Sequence, residues 1–167
     1  MSGAFRSIQV NRKQDQDRNH DEFLLEKKLN RVGEAMSGDM ALAVLGLNPE
    51  TVLASELNAA AAGTFKRTFR VALQNANARV HEWLTGLEPV LTPGDTVADV
   101  DVAAPAVTGT PAFSKGYVDI EVTFDTDAGA TKTYVAAETV TVDVQISGAD
   151  ALLGHTVTQV TKTFTVA

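Results

Sequence analysis

The sequence predicts a mainly β protein with an N-terminal helical part: an antiparallel two-sheet β-sandwich preceded by an extended arm and two helices. Three observations predict it. After Gly63, apolar and polar residues alternate in several runs, the pattern of half-buried strands. Turn-forming clusters separate these runs and no helix-length amphipathic stretch lies between them, which argues against alternating strand–helix units on a parallel sheet. Before Gly63, apolar residues fall at helical spacing instead.

Residues 1–20 read as an extended arm. Arg6, Arg12, Lys13 and Arg18 stand among Asp15 and Asp17, and the apolar residues are few: Phe5, Ile8 and Val10. Ile8 and Val10 alternate as in a short added strand. So little apolar surface does not offset the entropy of ordering the segment, so it is expected to be disordered or to be ordered by a partner. Residues 21–62 read as a helical anchoring segment. Leu25, Leu29, Val32 and Met36 form one stripe of a helix over 21–36, with acids at its start and Arg31 near its end to suit the dipole. Met40–Leu47 is apolar without a clean period. Asn48-Pro49-Glu50 reads as a helix start, with Asn as the cap and Pro in the first turn. That predicts a helix over 49–62, with Leu53 and Leu57 inward and Gly63 as its stop.

Residues 64–167 number 104, near the ~100 of an immunoglobulin-like sandwich. Phe65, Phe69, Val71 and Leu73 share one face; so do Val118, Ile120, Val122 and Phe124, and Val140, Val142, Val144 and Ile146. Val160, Phe164 and Val166 form a last face, which Lys162 interrupts. Clusters such as Thr92-Pro93-Gly94 and Asp127-Ala128-Gly129 mark the turns between them. The expectation is six to eight antiparallel strands, able to fold without the helices.

Charge follows the same division. The net charge is −7; residues 1–70 carry ten basic and nine acidic side chains, and residues 71–167 carry four and twelve. A phosphate-binding surface needs clustered positive charge, so no nucleic-acid partner is expected. The apolar run Met40–Leu47 falls far short of the roughly 20 residues of a membrane span, and the first 19 residues lack a signal-peptide core. The protein is expected to be made in the cytoplasm, without membrane attachment. The chain has no cysteine, which removes disulfides, thiolate metal sites and cysteine nucleophiles.

Few side chains carry a chemical signature. His81 and Trp83 would share a strand face, with Trp83 filling the core beside a hydrogen-bonded His81; the alternative is a ligand or sugar platform. His20, His81 and His155 lack zinc-ligand spacing. Asp125-Thr126-Asp127-Ala128-Gly129 matches the start of a calcium loop, but the third acid and the glutamate at the twelfth position are missing, so a β-turn is expected. Asp95, Asp99 and Asp101 read as a solvated edge. No catalytic residue, cofactor or metal is therefore assigned, and the protein is read as a non-enzyme.

Phe69-Arg-Val-Ala-Leu-Gln-Asn75 followed by Val80-His-Glu-Trp83 resembles a β-domain of tailed-bacteriophage virion structural proteins, in which a strand ending in Leu-Gln-Asp/Asn leads through a small-residue turn to a strand carrying His-x-Trp. Glu138-Thr-Val-Thr-Val-Asp143 and Gly154-His-Thr-Val157 resemble its later strands. The resemblance covers roughly residues 64–167. It implies a virion component of the capsid decoration or cement type, with no catalytic residues. The expected partners are the major capsid protein or other virion subunits, with homo-oligomeric or lattice contacts. Phe5, Ile8, Val10, Leu25, Leu29, Val32 and Met36 would anchor the chain to the shell. The alternatives are a phage tail or other capsid component, or an immunoglobulin-like module that binds carbohydrate or another surface.

Overall fold

The computed structural model describes residues 40–146 and 157–167. In chain order the described elements are β1 (Met40–Leu45), β2 (Glu50–Val52), α1 (Ala54–Ala59), β3 (Lys66–Gln74), β4 (Val90–Asp95), β5 (Ala106–Val107), β6 (Tyr117–Thr123), β7 (Thr139–Gln145), β8 (Val157–Thr158) and β9 (Val160–Val166). The protein is mainly β. One sheet has the order β5-β6-β3-β1-β8 and the other β2-β9-β7-β4. Pairing is antiparallel except for β1 with β8 and β2 with β9.

The period-two runs become the inner faces. Phe69, Val71 and Leu73 of β3 and Val118, Ile120 and Val122 of β6 meet Val140, Val142 and Val144 of β7 and Phe164 and Val166 of β9 in one core. Alternation on every long strand places its apolar set between the sheets, which fixes the register against a one-residue slip. Phe65, Phe124, Phe164 and Phe69 form a chain of edge-to-face rings, with centroids 5.2, 5.3 and 6.3 Å apart, a favoured packing of ring quadrupoles.

The segment expected to be helical is the main correction. Met40–Leu45 is a strand that pairs with β3 over Ala41–Leu45 and buries Met40 and Leu42. Glu50–Val52 pairs with β9. The helix expected over 49–62 is reduced to six residues, with Leu57 as its one buried side chain. Asn48 does not cap it. Its side chain instead bonds the backbone of β9, donating from Nδ2 to Thr161 O (2.8 Å) and accepting from Thr163 N (2.9 Å). Strand pairing satisfies backbone groups and buries Val52 together, and this outweighs local helix propensity, which is a weak preference. The division at Gly63 is therefore not a domain boundary: the two-sheet domain takes its first strand from Met40. The helix expected over 21–36 lies outside the described residues.

The strand switch between β1 and β2 carries the chain from one sheet to the other. A second asparagine works like Asn48: Asn58 of α1 donates to Tyr134 O (2.9 Å) and accepts from Tyr134 N (2.8 Å). At both places a side-chain amide supplies the donor and acceptor that a further strand would have supplied.

Candidate functional site

Among the described residues the buried polar side chains are His81, Thr126, Glu138 and Lys162; Lys162 and His81 differ most in how well they are satisfied. Lys162, at an inward position of β9, is only 2% exposed. Its Nζ donates to Leu47 O (2.6 Å) and to Glu50 Oε2 (2.7 Å) and lies 4.8 Å from the centre of the Phe164 ring. The strand switch supplies both acceptors, so Lys162 fastens β9 to the β1–β2 connection. A buried ammonium is tolerable only with such a set of partners. Arg67 approaches the other oxygen of Glu50 at 3.8 Å. The residue that breaks the apolar pattern in the sequence is thus a structural tie.

His81 is 5% exposed. Trp83 Nε1 donates to His81 Nδ1 at 3.3 Å. Nε2 has no partner among the described residues. Burial pushes the imidazole pKa below its usual value, because an imidazolium here would lose its hydration. The expected strand across Val80–Trp83 is not formed: Val80 makes one isolated bridge to Gln74, and His81 N–H reaches Leu73 O at 2.9 Å. Trp83 does not fill the core. Its side chain is 45% exposed, and Leu84 and Phe113 fill the space beneath that corner instead. A turn rather than a strand follows Val80, which removes the alternation that would have turned Trp83 inward.

Several carboxylates have structural partners. Asp127 accepts from Ala130 N, Thr131 N, Thr131 Oγ1 and Lys132 N. Its pKa is lowered, first by the Thr131 hydroxyl. Asp125 pairs with Lys132 and accepts from Ala103 N (2.8 Å). Burial pushes its pKa up, but the Lys132 and Ala103 bonds outweigh it and leave the carboxyl below its usual range. The pattern that matched the start of a calcium loop is an acid-stitched turn. Asp99 and Asp101 do not lie on a strand: Asp101 N bonds Asp99 Oδ1, and Asp99 Oδ2 accepts from Thr133 N. Glu138, 7% exposed, accepts from Ala98 N and Val135 N. Tyr134 is buried and donates to Asp125 O at 2.8 Å, and burial raises its pKa strongly. No sequence signal singled out Glu138 or Tyr134; Lys162 had one, its place on an apolar strand face.

Outside, β3 and β6 present cross-strand ion pairs. Arg70 holds Asp119 through two bonds of 2.7 Å, and Lys66 holds Glu121 at 2.9 Å. A groove of about 750 Å³ runs from Leu45, Leu47 and Pro49 to Arg70 and Asp119. A second, of about 560 Å³, is lined by Arg70, Glu82, Pro111, Lys115, Tyr117 and Asp119. Leu47 is 75% exposed. The edge strand β4 contains Pro93 and the edge strand β5 has two residues; both features discourage strand addition. The residues expected to anchor the chain, Phe5, Ile8, Val10, Leu25, Leu29, Val32 and Met36, lie outside the described residues. Among the described residues no group of three or more His, Asp or Glu is placed to hold a metal ion.

No protein-family model matches the chain and no curated protein matches it in sequence. Among solved structures, the chain is similar to domains 4 and 5 of the S-layer protein SbsC, with a TM-score of 0.36, 13% identity, and coverage of 75% of this chain and 50% of that one. It is also similar to part of the cell-surface-expressed multi-modular chitinase ChiW from Paenibacillus sp. str. FPU-7, with a TM-score of 0.38, 18% identity, and coverage of 77% and 13%. The matched region is thus half of one structure and a small part of the other.

Proposed function

We propose that this protein is a non-enzymatic structural component of a tailed-bacteriophage virion, a capsid decoration or cement protein. In this reading the residues before Met40 attach to the shell and an immunoglobulin-like domain starting at Met40 projects outward. The strand order supports the fold assignment: β1, β3, β5, β6 and β8 occupy one sheet and β2, β4, β7 and β9 the other, two mainly antiparallel sheets as in sandwiches of that class. Tyr134, ahead of β7 and bonded to an upstream carbonyl, supports the same assignment, since that fold uses a tyrosine bonded back to upstream backbone at a comparable corner.

The observation that carries the functional reading is the use of the polar side chains. Lys162, Asp125, Asp127, Glu138 and Tyr134 all hold backbone or one another in place. That is the economy of a part made to persist. The resemblance of residues 69–83 supplies the virion. Binding of the full chain and of a chain lacking residues 1–36 to purified capsids tests it. The shorter chain should remain folded and fail to bind; decoration at full occupancy without residues 1–36 would refute the arrangement.

The exposure of Trp83 favours a second reading, a module that binds carbohydrate or another surface. It predicts glycan-array binding that disappears in Trp83→Ala with the fold retained. Localisation by electron microscopy separates capsid from tail within the first reading.

A further inference from the structure

We propose that the contact between His81 and Trp83 is an acid-released latch: protonation of His81 breaks it and opens the turn over residues 79–83, at the corner built from residues 75–89 and 111–116, while the core and the two sheets stay folded.

The argument begins with donors and acceptors. An indole N–H can only donate. Trp83 Nε1 lies 3.3 Å from His81 Nδ1, so Nδ1 is the acceptor and the ring proton is on Nε2. That proton has no partner among the described residues. A second proton can enter only at Nδ1. Two N–H groups would then face each other and the bond to Trp83 would become a repulsion. The new charge would also be buried beside a donor that is already unsatisfied.

Among the described residues no carboxylate hydrogen-bonds the ring to compensate that charge. His81 packs against the end of β3 through Leu73 and against the Ser114–Gly116 turn. The charged side chains on these segments and on its own loop are Arg70, Arg79, Glu82, Glu88 and Lys115, all exposed, and none hydrogen-bonds the ring. Opening relieves the strain by letting water reach both nitrogens. Between the two pKa values the closed form binds fewer protons than the open form. Closure is therefore complete above about pH 6.5, the ordinary histidine value, and weakens as pH falls below it. The opening equilibrium should rise by up to tenfold per unit of pH in that window.

The corner stands apart from the long ladders. It lies beyond the β3–β6 ladder, which ends at Ala72 and Tyr117. Its two loops are joined to each other by Gly86 N to Phe113 O, Phe113 N to Leu87 O, Gly116 N to Leu84 O and Lys115 N to Thr85 Oγ1. Leu84 and Phe113 beneath it belong to the core and stay in place, so what opens is the turn above them, which carries the exposed Trp83 and few buried apolar groups, the kind of segment that opens locally.

Trp83 is the chain's single tryptophan, so its fluorescence reports the latch directly. Emission and far-UV circular dichroism of the full chain are followed from pH 8 to 4.5. The expected result is a one-proton change in Trp83 emission with a midpoint below 6.5, while the far-UV signal stays constant. Flat emission, or emission and far-UV signals changing together, would overturn the proposal. In His81→Asn a carbonyl oxygen replaces the Nδ1 acceptor and cannot take a proton, so the emission change should vanish; persistence with the same midpoint would overturn it. Should that variant fail to fold, a His20→Gln/His155→Gln chain leaves His81 as the only imidazole. Its titration followed by nuclear magnetic resonance must match the emission midpoint, and a mismatch overturns the latch.

Discussion

Lys162 and His81 are both nearly inaccessible polar side chains, yet they have opposite roles in the fold. Lys162 meets a carbonyl, a carboxylate and an aromatic face. Among the described residues His81 meets one donor and has a nitrogen with no partner. The first ties the strand switch to β9 and the second leaves its corner poised to loosen. The contrast teaches that burial alone does not say whether a polar group strengthens a fold; the count of satisfied donors and acceptors does.

The largest test of this contrast is truncation. A chain lacking residues 1–36 keeps β1 and β2 and should unfold cooperatively. A chain lacking residues 1–52 loses both strands, both acceptors of Lys162 and the Asn48 amide, and should show no cooperative thermal transition. Equal stability of the two would mean that the strand switch contributes nothing.

Next is the tie itself. Glu50→Ala leaves a buried ammonium without its carboxylate and should cost about 3 kcal/mol in denaturant unfolding. Lys162→Met replaces the ammonium by an apolar side chain of similar volume and should fall within about 1 kcal/mol of the parent. A larger loss for Lys162→Met than for Glu50→Ala would reverse the reasoning.

At the other corner, Gly116 has φ +80°, and a Cβ there would lie 2.6 Å from His81 O and from Val80 Cγ1. Gly116→Ala should cost about 2 kcal/mol through strain and overpacking, and it should shift Trp83 fluorescence at neutral pH. A normal spectrum would show that the corner yields without disturbing the latch. The smallest effect belongs to Asn48→Ala. It removes two hydrogen bonds on an exposed edge and should cost about 1 kcal/mol by thermal denaturation, with faster exchange of the Thr163 amide as its specific mark.

Much of the two-sheet core was legible because its signal is local. The alternating valines of β6 and β7 are buried as their spacing predicts. Asn48-Pro49-Glu50 misled for an equally definite reason. Asn is both a good helix cap and a good partner for a strand backbone, and only the nearness of β9, 113 residues later in the chain, chooses between them. Trp83 misled because a turn after Val80 cancels the period-two rule that would have placed it inside.

By itself the sequence determined which strands alternate, that turns separate them, and that one lysine sits on an apolar face. Period and turn chemistry are properties of neighbouring residues, so they can be read along the chain. The tertiary structure alone decided that Met40–Val52 belongs to the sheets, that Lys162 finds Glu50, and that His81 is buried while Trp83 is exposed. Each of these depends on partners distant in sequence or on a change of chain direction. The free energy of satisfying a donor or acceptor across such a distance outweighs the few tenths of a kcal/mol, about 0–0.7 per ordinary residue, by which local propensity prefers one conformation to another.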